Sequence, residues 1–174
     1  MRKTIRSLVG LLSFSFDKRS KFVTLAEELK SIQMYLQIQQ MRFGDKFSMS
    51  FEIEEEALQY KMLKLTLQPI IENAIFHGVA SKPYGKIVIK SKLSENRLKI
   101  FIRDNGVGIE KEVVRELLVH KEAERYRGGF NSIGLINVHE RIQIYFGQCY
   151  GLKIASKKHV GTVVRILLPK IKGD

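Results

Sequence analysis

The chain has 174 residues, 44% hydrophobic and 28% charged, with 30 Lys and Arg against 18 Asp and Glu, giving a formal net charge of +12. This composition fits one globular domain with room for an appendage and excludes global disorder; the single cysteine, Cys149, excludes an internal disulfide scaffold. No apolar run approaches the roughly 18 residues of a membrane span, and no small-residue cleavage site precedes Asp17-Lys18-Arg19, so a signal peptide is rejected.

The positive charge is concentrated at the two ends of the chain. Residues 1 to 24 hold six cations against Asp17, and residues 150 to 174 hold six against Asp174, a net of +5 each, which leaves +2 for everything between. A nucleic-acid reader gathers its cations on one recognition element, often with aromatics interleaved, and neither end does so. Both ends are read as solvated faces with a general attraction for phosphate, and no direct nucleic acid binding is expected.

Taken in order, Thr4 to Phe16 carries a helix-like apolar face too short to bury itself. Thr24-Leu25-Ala26-Glu27 is a capping box, and the helix it opens runs with apolar residues near a 3.6 period to Gly44 and Asp45. Phe47 to Ile53 alternates as a half-buried strand, and Leu63 to Val79 reads as a buried helix with Pro69 in its early part. Lys86 to Leu93 and Leu98 to Asp104 form a hairpin around a polar turn. Glu110 to Val119 is a short helix, Lys121 to Ser132 a long charged loop, Ile133 to Phe146 a helix, and Leu152 to Ser156 with Thr162 to Leu168 a second hairpin.

Chemistry gathers in four places. Asp104-Asn105-Gly106-Val107-Gly108 follows a strand directly; its glycines permit a tight turn and close approach to a ligand, although an ordinary turn has the same composition. In the helix Leu67-Gln68-Pro69-Ile70-Ile71-Glu72-Asn73-Ala74-Ile75-Phe76-His77-Gly78, the polar residues Glu72, Asn73 and His77 interrupt an apolar sequence. Asn73 and His77 are neighbours on one face, and an Asn carbonyl is a hard oxygen ligand suited to Mg²⁺; a solvent-facing polar stripe would look alike. Gly128-Gly129-Phe130-Asn131-Ser132-Ile133-Gly134-Leu135 runs into a helix start, whose free amides favour phosphate. Gly161-Thr162, before the last strand, is by itself only a turn.

Together and in this order the four pieces resemble the ATP-binding domain shared by gyrase, heat-shock chaperone ATPases, histidine kinases and mismatch-repair ATPases, the Bergerat fold, over about residues 45 to 170. Gln68-Pro69 with Glu72-Asn73-Ala74 and His77-Gly78, then Ile133-Gly134-Leu135 with Asn137-Val138 and Glu140-Arg141, resemble the YesM-like sensor histidine kinases. Thr24-Leu25 with Glu27-Glu28-Leu29, Tyr35-Leu36 and Arg42-Phe43 resembles the segment these kinases carry before the ATP domain. The resemblance implies an α/β two-layer sandwich, a mixed and mostly antiparallel sheet covered on one face by helices, with an N-terminal helical linker. It implies ATP and Mg²⁺ as cofactors, with Asn73 the metal ligand and Glu72 and His77 beside the phosphates. Asp104 would accept from the adenine amino group, Gly106, Gly108 and Ile109 would pass the base, Gly134 and Leu135 would meet the phosphates, and Thr162 would lie at the adenine end. Residues 119 to 132 would be the lid over ATP.

Two departures carry meaning. Phe130, Asn131 and Ser132 stand where family members often have glycine, which implies a stiffer lid hinge. Pro69 stands where hydrolysing members place a carboxylate base, which argues for phosphoryl transfer to another group rather than water activation. The family's phosphoacceptor motif of the Pro-His-Phe type does not occur among the four histidines, so the chain is expected to be a fragment that does not autophosphorylate alone. Residues 1 to 22 would be the tail of a second dimerisation helix with its linker, 23 to 44 a connecting helix, and 45 to 174 the catalytic domain. An upstream dimerisation domain, a response regulator and a homodimeric intact protein follow as partners, with the fragment as the cytoplasmic portion of a membrane-anchored bacterial receptor. A nucleotide-binding regulatory module and an anti-sigma-type Ser/Thr kinase are the alternatives. Cys149 reads as a packed thiol.

Overall fold

A computed structural model describes residues 2–16, 20–80, 82–116 and 132–172. Two helices open the chain, α1 (Arg2–Phe16) and α2 (Leu25–Phe43), and they lie against one another. A Cβ on Gly10 would fall 2.5 Å from the Met34 sulfur, and Ser7 Oγ donates to Gln37 Oε1 at 2.6 Å. The face that looks partnerless in sequence thus meets α2 on one side, while Leu8, Val9, Leu12 and Phe16 stay exposed on the other.

The capping box forms as the sequence predicts. Thr24 Oγ1 accepts from the Glu27 N–H at 3.2 Å and the Glu27 carboxylate accepts from the Thr24 N–H at 2.8 Å. Gly44, at φ +58°, ends α2 and returns its N–H to Gln40 O. Just before the helix, β1 (Phe22–Thr24) pairs antiparallel with β3 (Lys61–Leu63), a two-stranded sheet absent from the sequence reading. Three residues are too few to show a period.

The main sheet contains β2 (Phe47–Glu52), β4 (Gly85–Ser94), β5 (Arg97–Asp104), β6 (Gly151–Lys157) and β7 (Gly161–Pro169), in the spatial order β2-β4-β5-β7-β6. Only β2 and β4 are parallel, so the sheet is mixed and mostly antiparallel as expected. Its inner face, carried by Ile87, Ile89, Leu98, Ile100, Ile102, Ile166 and Leu168, is fully buried against the helices. Burial of each such side chain contributes about 1.5–3 kcal/mol relative to exposure.

Helix α3 (Leu67–Asn73) continues as a π-helical segment, Ala74–Val79, in which the Ala80 N–H bonds back to Ile75 O. Pro69 is the third residue of α3, where its missing N–H would have had no partner inside the helix. The helix starts four residues later than expected because Leu63 closes β3 and Lys64–Thr66 turn the chain, with Leu65 at φ +59°. Beyond β5 come α4 (Lys111–Glu116) and α5 (Ser132–Phe146). The expected extension of α4 to Val119 lies outside the described residues. Cys149, expected to be a packed thiol, is exposed in the turn after α5.

The terminal concentration of charge does not survive folding as a spatial pattern. Cations from β4 and β5, in the middle of the chain, share the outer face of the sheet with those of β6 and β7. The carboxylates that balance them in a segment count lie mostly on other elements.

Candidate functional site

A cleft opens on the helical side of the sheet, where α3 and its π segment, the start of α5 and the ends of β5 and β7 converge. Asn73, His77, Asp104, Gly108, Ile109, Leu135 and Thr162 all line it, among apolar walls from Ile70, Ile102 and Val164. Seven of the residues expected at a nucleotide site are therefore brought to one place by four separate elements.

Asp104 closes β5 and is 6% exposed. One carboxylate oxygen accepts from the Gly106 N–H at 2.7 Å. Burial pushes its carboxyl above the ordinary value, opposed by that N–H, a backbone N–H from Thr162 and the charge of Lys82. An acceptor so poorly solvated in an apolar wall is suited to a neutral N–H donor on a planar ligand.

The turn after Asp104 has room for no side chain at two of its positions. A Cβ on Gly106 would sit 2.3 Å from the Gly78 carbonyl carbon, and Gly108, at φ +68°, would put one 2.0 Å from Lys157 O. Gly106 lets the turn lie against the π segment, where the Val107 N–H donates to Gly78 O at 3.1 Å, and Gly108 lets it lie against the end of β6.

Ser156, which sequence reasoning missed, locks this end. Its hydroxyl donates to Gly161 O at 3.0 Å and accepts from the Ile109 N–H at 2.8 Å. Since its one hydrogen is taken by a carbonyl, the 2.8 Å contact with Thr162 Oγ1 must be a bond donated by Thr162. Thr162 is thereby left to act as an acceptor. The only available signal was the alternation of β6, which puts Ser156 on the inner face beside Thr162.

On the opposite wall Asn73 is 7% exposed and its Nδ2 donates to Pro69 O at 2.9 Å. A carbonyl can only accept, so the amide orientation is fixed and Oδ1 is the atom turned to the other side. His77 is half-buried, and burial lowers its imidazole below the ordinary value, favouring the neutral form. Glu72 does not join the cleft wall. Its Oε1 accepts from Gln68 Nε2 at 3.0 Å, and its charge acts on the Tyr35 phenol of α2, which burial chiefly pushes upward.

The start of α3 is held from α2. Glu28, 1% exposed, accepts from the N–H groups of Leu65 at 2.6 Å, Thr66 at 3.2 Å and Leu67 at 3.0 Å. Burial raises its carboxyl, and the three amides and the charge of Arg141 work against that rise. Arg141, on α5, donates Nη2 to Lys64 O at 2.8 Å, so the turn before α3 is gripped from two helices. Gly134 lies in the first turn of α5, where a Cβ would stand 3.4 Å from the Pro69 side chain. Residues 119–131 of the expected lid, with Gly128, Gly129, Phe130 and Asn131, lie outside the described residues; Ser132 opens α5.

Among the described residues no cluster of three or more His, Cys, Asp or Glu could hold a metal by itself. A hard cation here would depend on Asn73 Oδ1, water and oxygens of the ligand, an arrangement that Mg²⁺ accepts. The donor set fits a metal carried in with phosphates.

Residues 59–172 match the family model described as "Histidine kinase-, DNA gyrase B-, and HSP90-like ATPase". The chain belongs to this family. Residues 1–47 match a second model, "Histidine kinase". The chain is 34% identical to sensor histidine kinase YpdA of Escherichia coli, over 97% of this chain and 28% of YpdA. It is 33% identical to sensor histidine kinase YesM of Bacillus subtilis, over 96% of this chain and 27% of YesM. The chain thus spans about a third or less of the length of these relatives. In fold it is similar to the catalytic domain of histidine kinase ThkA, with a TM-score of 0.62 at 17% identity, covering 86% of this chain and 94% of that one. The histidine kinase domain of the Erythrobacter litoralis EL346 blue-light activated kinase gives 0.60 at 14% identity, covering 97% and 74%. As a member of the family, the chain is an ATP-binding catalytic domain of the sensor histidine kinase type.

Proposed function

We propose that the cleft binds ATP with Mg²⁺ and presents the γ-phosphoryl group to a histidine of an upstream dimerisation domain outside this chain. The observation that carries the reading is Asp104, a buried carboxylate in an apolar wall, facing a cleft whose opposite wall holds Asn73. In this reading Asp104 accepts from the adenine amino group, while Gly106, Gly108 and Ile109 let the backbone pass the base. Thr162 accepts at the same end. Asn73 Oδ1 ligates Mg²⁺, His77 lies beside the phosphates, and Gly134 and Leu135 meet the phosphate tail at the start of α5; Glu72, expected beside them, faces Gln68 and α2 instead.

Mg²⁺ would supply charge neutralisation at the phosphate oxygens. In the transfer the bond from the γ-phosphorus to the bridging oxygen breaks, a bond to an imidazole nitrogen forms, and ADP leaves. Pro69, one turn before Asn73, offers no carboxylate to activate water, so the attacking group comes from elsewhere. Residues 1–22 would form the tail of the second dimerisation helix, 23–44 a connecting helix and 45–174 the catalytic domain. The intact protein would be a homodimeric, membrane-anchored bacterial receptor with this part in the cytoplasm, and the phosphoryl group would pass on to a response regulator. Without the acceptor histidine this chain binds ATP but does not autophosphorylate.

Calorimetric titration with ADP and ATP, with and without Mg²⁺, tests the assignment. Asp104→Ala is expected to abolish binding of both nucleotides at micromolar concentration, whereas Asn73→Ala removes mainly the Mg²⁺ dependence. A folded wild type that binds neither nucleotide at millimolar concentration overturns the reading.

A further inference from the structure

The helices cover one face of the five-stranded sheet; the other face is open, and its charge is nearly all of one sign. Strand β4 turns Lys86, Lys90 and Lys92 outward, and β5 turns Arg97, Lys99 and Arg103 outward, each alternating with buried residues. Strands β6 and β7 add Lys153, Lys157 and Arg165. The register sets these residues side by side: Lys92 opposite Lys99, and Arg165 between Phe101 and Lys153.

Nine cations thus share the face with one carboxylate, Glu52 on β2, which is spent on Lys90 at 3.0 Å. The net charge is +8, two-thirds of the formal charge of the whole chain. Among the described residues none of the other eight forms an ion pair. At the centre of the face the buried Nε of Arg165 has no hydrogen-bond partner. Like charges set opposite one another across strands are destabilising, so the arrangement costs stability in the free domain and calls for an anionic partner.

We propose that this open face docks on an anionic lipid surface. The open side of four paired strands is a broad surface, about 15 Å across and about 25 Å along them. Lysines outnumber arginines six to three, which suits diffuse attraction to many headgroups more than bidentate reading of one site. The residues between the cations, Val88, Val163 and Leu167, are aliphatic, and Phe101 is the face's one aromatic, too few for a base-stacking platform. Because the cleft lies on the helical side, docking would leave it open. The inference is independent of the nucleotide assignment.

Co-sedimentation of the 174-residue chain with phosphatidylcholine vesicles, with and without phosphatidylglycerol, tests it. Binding is expected only with the anionic lipid and is expected to weaken steeply as salt rises. The triple variant Lys92→Glu, Arg103→Glu, Lys153→Glu is expected to lose about a hundredfold or more in partitioning, since each juxtamembrane cation contributes severalfold. Lys30→Glu, Lys46→Glu, Arg115→Glu makes the same change in net charge away from the face and is expected to keep most of the binding. Equal losses in the two triple variants would reduce the effect to net charge and overturn the proposal. Unchanged binding by the face variant would transfer it to another surface such as α1, and tighter, face-dependent binding to duplex DNA than to the vesicles would replace lipid as the partner. Thermal melts of both triple variants separate loss of binding from loss of fold.

Discussion

The two ends of the cleft are built in different ways. At the end where the base is proposed to lie, Asp104, Gly106, Gly108, Ser156 and Thr162 come from strand ends and tight turns, tied to one another by short hydrogen bonds and by contacts too close for any side chain. At the other end Asn73 and His77 ride on a helix that changes to π geometry between them, and that helix is held by a carboxylate reaching across from α2. One end is fixed by the sheet. The other is held through the turn before α3, by Glu28 from α2 and Arg141 from α5. π-helical turns recur at functional sites because they aim side chains that a regular helix would turn elsewhere.

The largest effect should come from removing the carboxylate that holds the second end. Glu28→Ala leaves three backbone N–H groups at the start of α3, two of them buried, without their acceptor, and the cost is expected to be about 3–5 kcal/mol of stability. Glu28→Gln keeps one acceptor oxygen and should fall between it and the wild type. Urea unfolding measures both. In the glutamine variant, Mg²⁺-ATP binding should weaken more than adenosine binding; an equal loss of the two would show that the ends are not separable.

Asp104→Asn probes the fixed end, and its two effects have opposite signs. Nucleotide affinity should fall by about ten- to a hundredfold, the scale of one hydrogen bond to a charged group. Stability at neutral pH should rise. The carboxyl of Asp104 lies above its ordinary 3.8 in the folded chain, so the folded state binds its proton more tightly than the unfolded state does. Its contribution to stability is complete below the unfolded value and is lost as pH rises through the higher folded one. Glu28 carries a shift of the same sign from 4.5. Thermal melts across this acidic range should therefore show wild-type stability falling with pH, with a shallower fall in Asp104→Asn; an unchanged slope would refute the assignment of the shift.

Much of this was legible in the sequence, for reasons that differ by residue. The capping box at Thr24 and the period-two strands are local, and each folds as its own residues dictate. Strands β1 and β3 were not legible, because a three-residue pairing is specified by its partner and leaves no period behind. Glu28 appeared in sequence only within Glu27-Glu28-Leu29, part of the stretch that resembles the segment before the ATP domain in sensor kinases; its role depends on the turn at Leu65, which is 37 residues away. The basic sheet face was hidden by counting charge along the chain, since β4 to β7 interleave cations with buried aliphatic residues while the balancing carboxylates fold elsewhere.

The smallest expected effect separates packing from recognition at the fixed end. Ser156→Ala removes a hydroxyl that serves Ile109, Gly161 and Thr162 but is not among the residues lining the cleft. The direct cost should be about 1–2 kcal/mol of stability. More telling is the change in Thr162, whose hydrogen loses its acceptor and becomes free to turn toward the ligand. A base that offers Thr162 a donor would then bind severalfold less well, while one that offers an acceptor would bind as well or better. Titration of Ser156→Ala with ADP beside IDP, which carries an oxygen where adenine carries its amino group, reads that difference directly. If the variant loses ADP and IDP affinity in equal proportion, Ser156 acts only through stability, and Thr162 does not face the base.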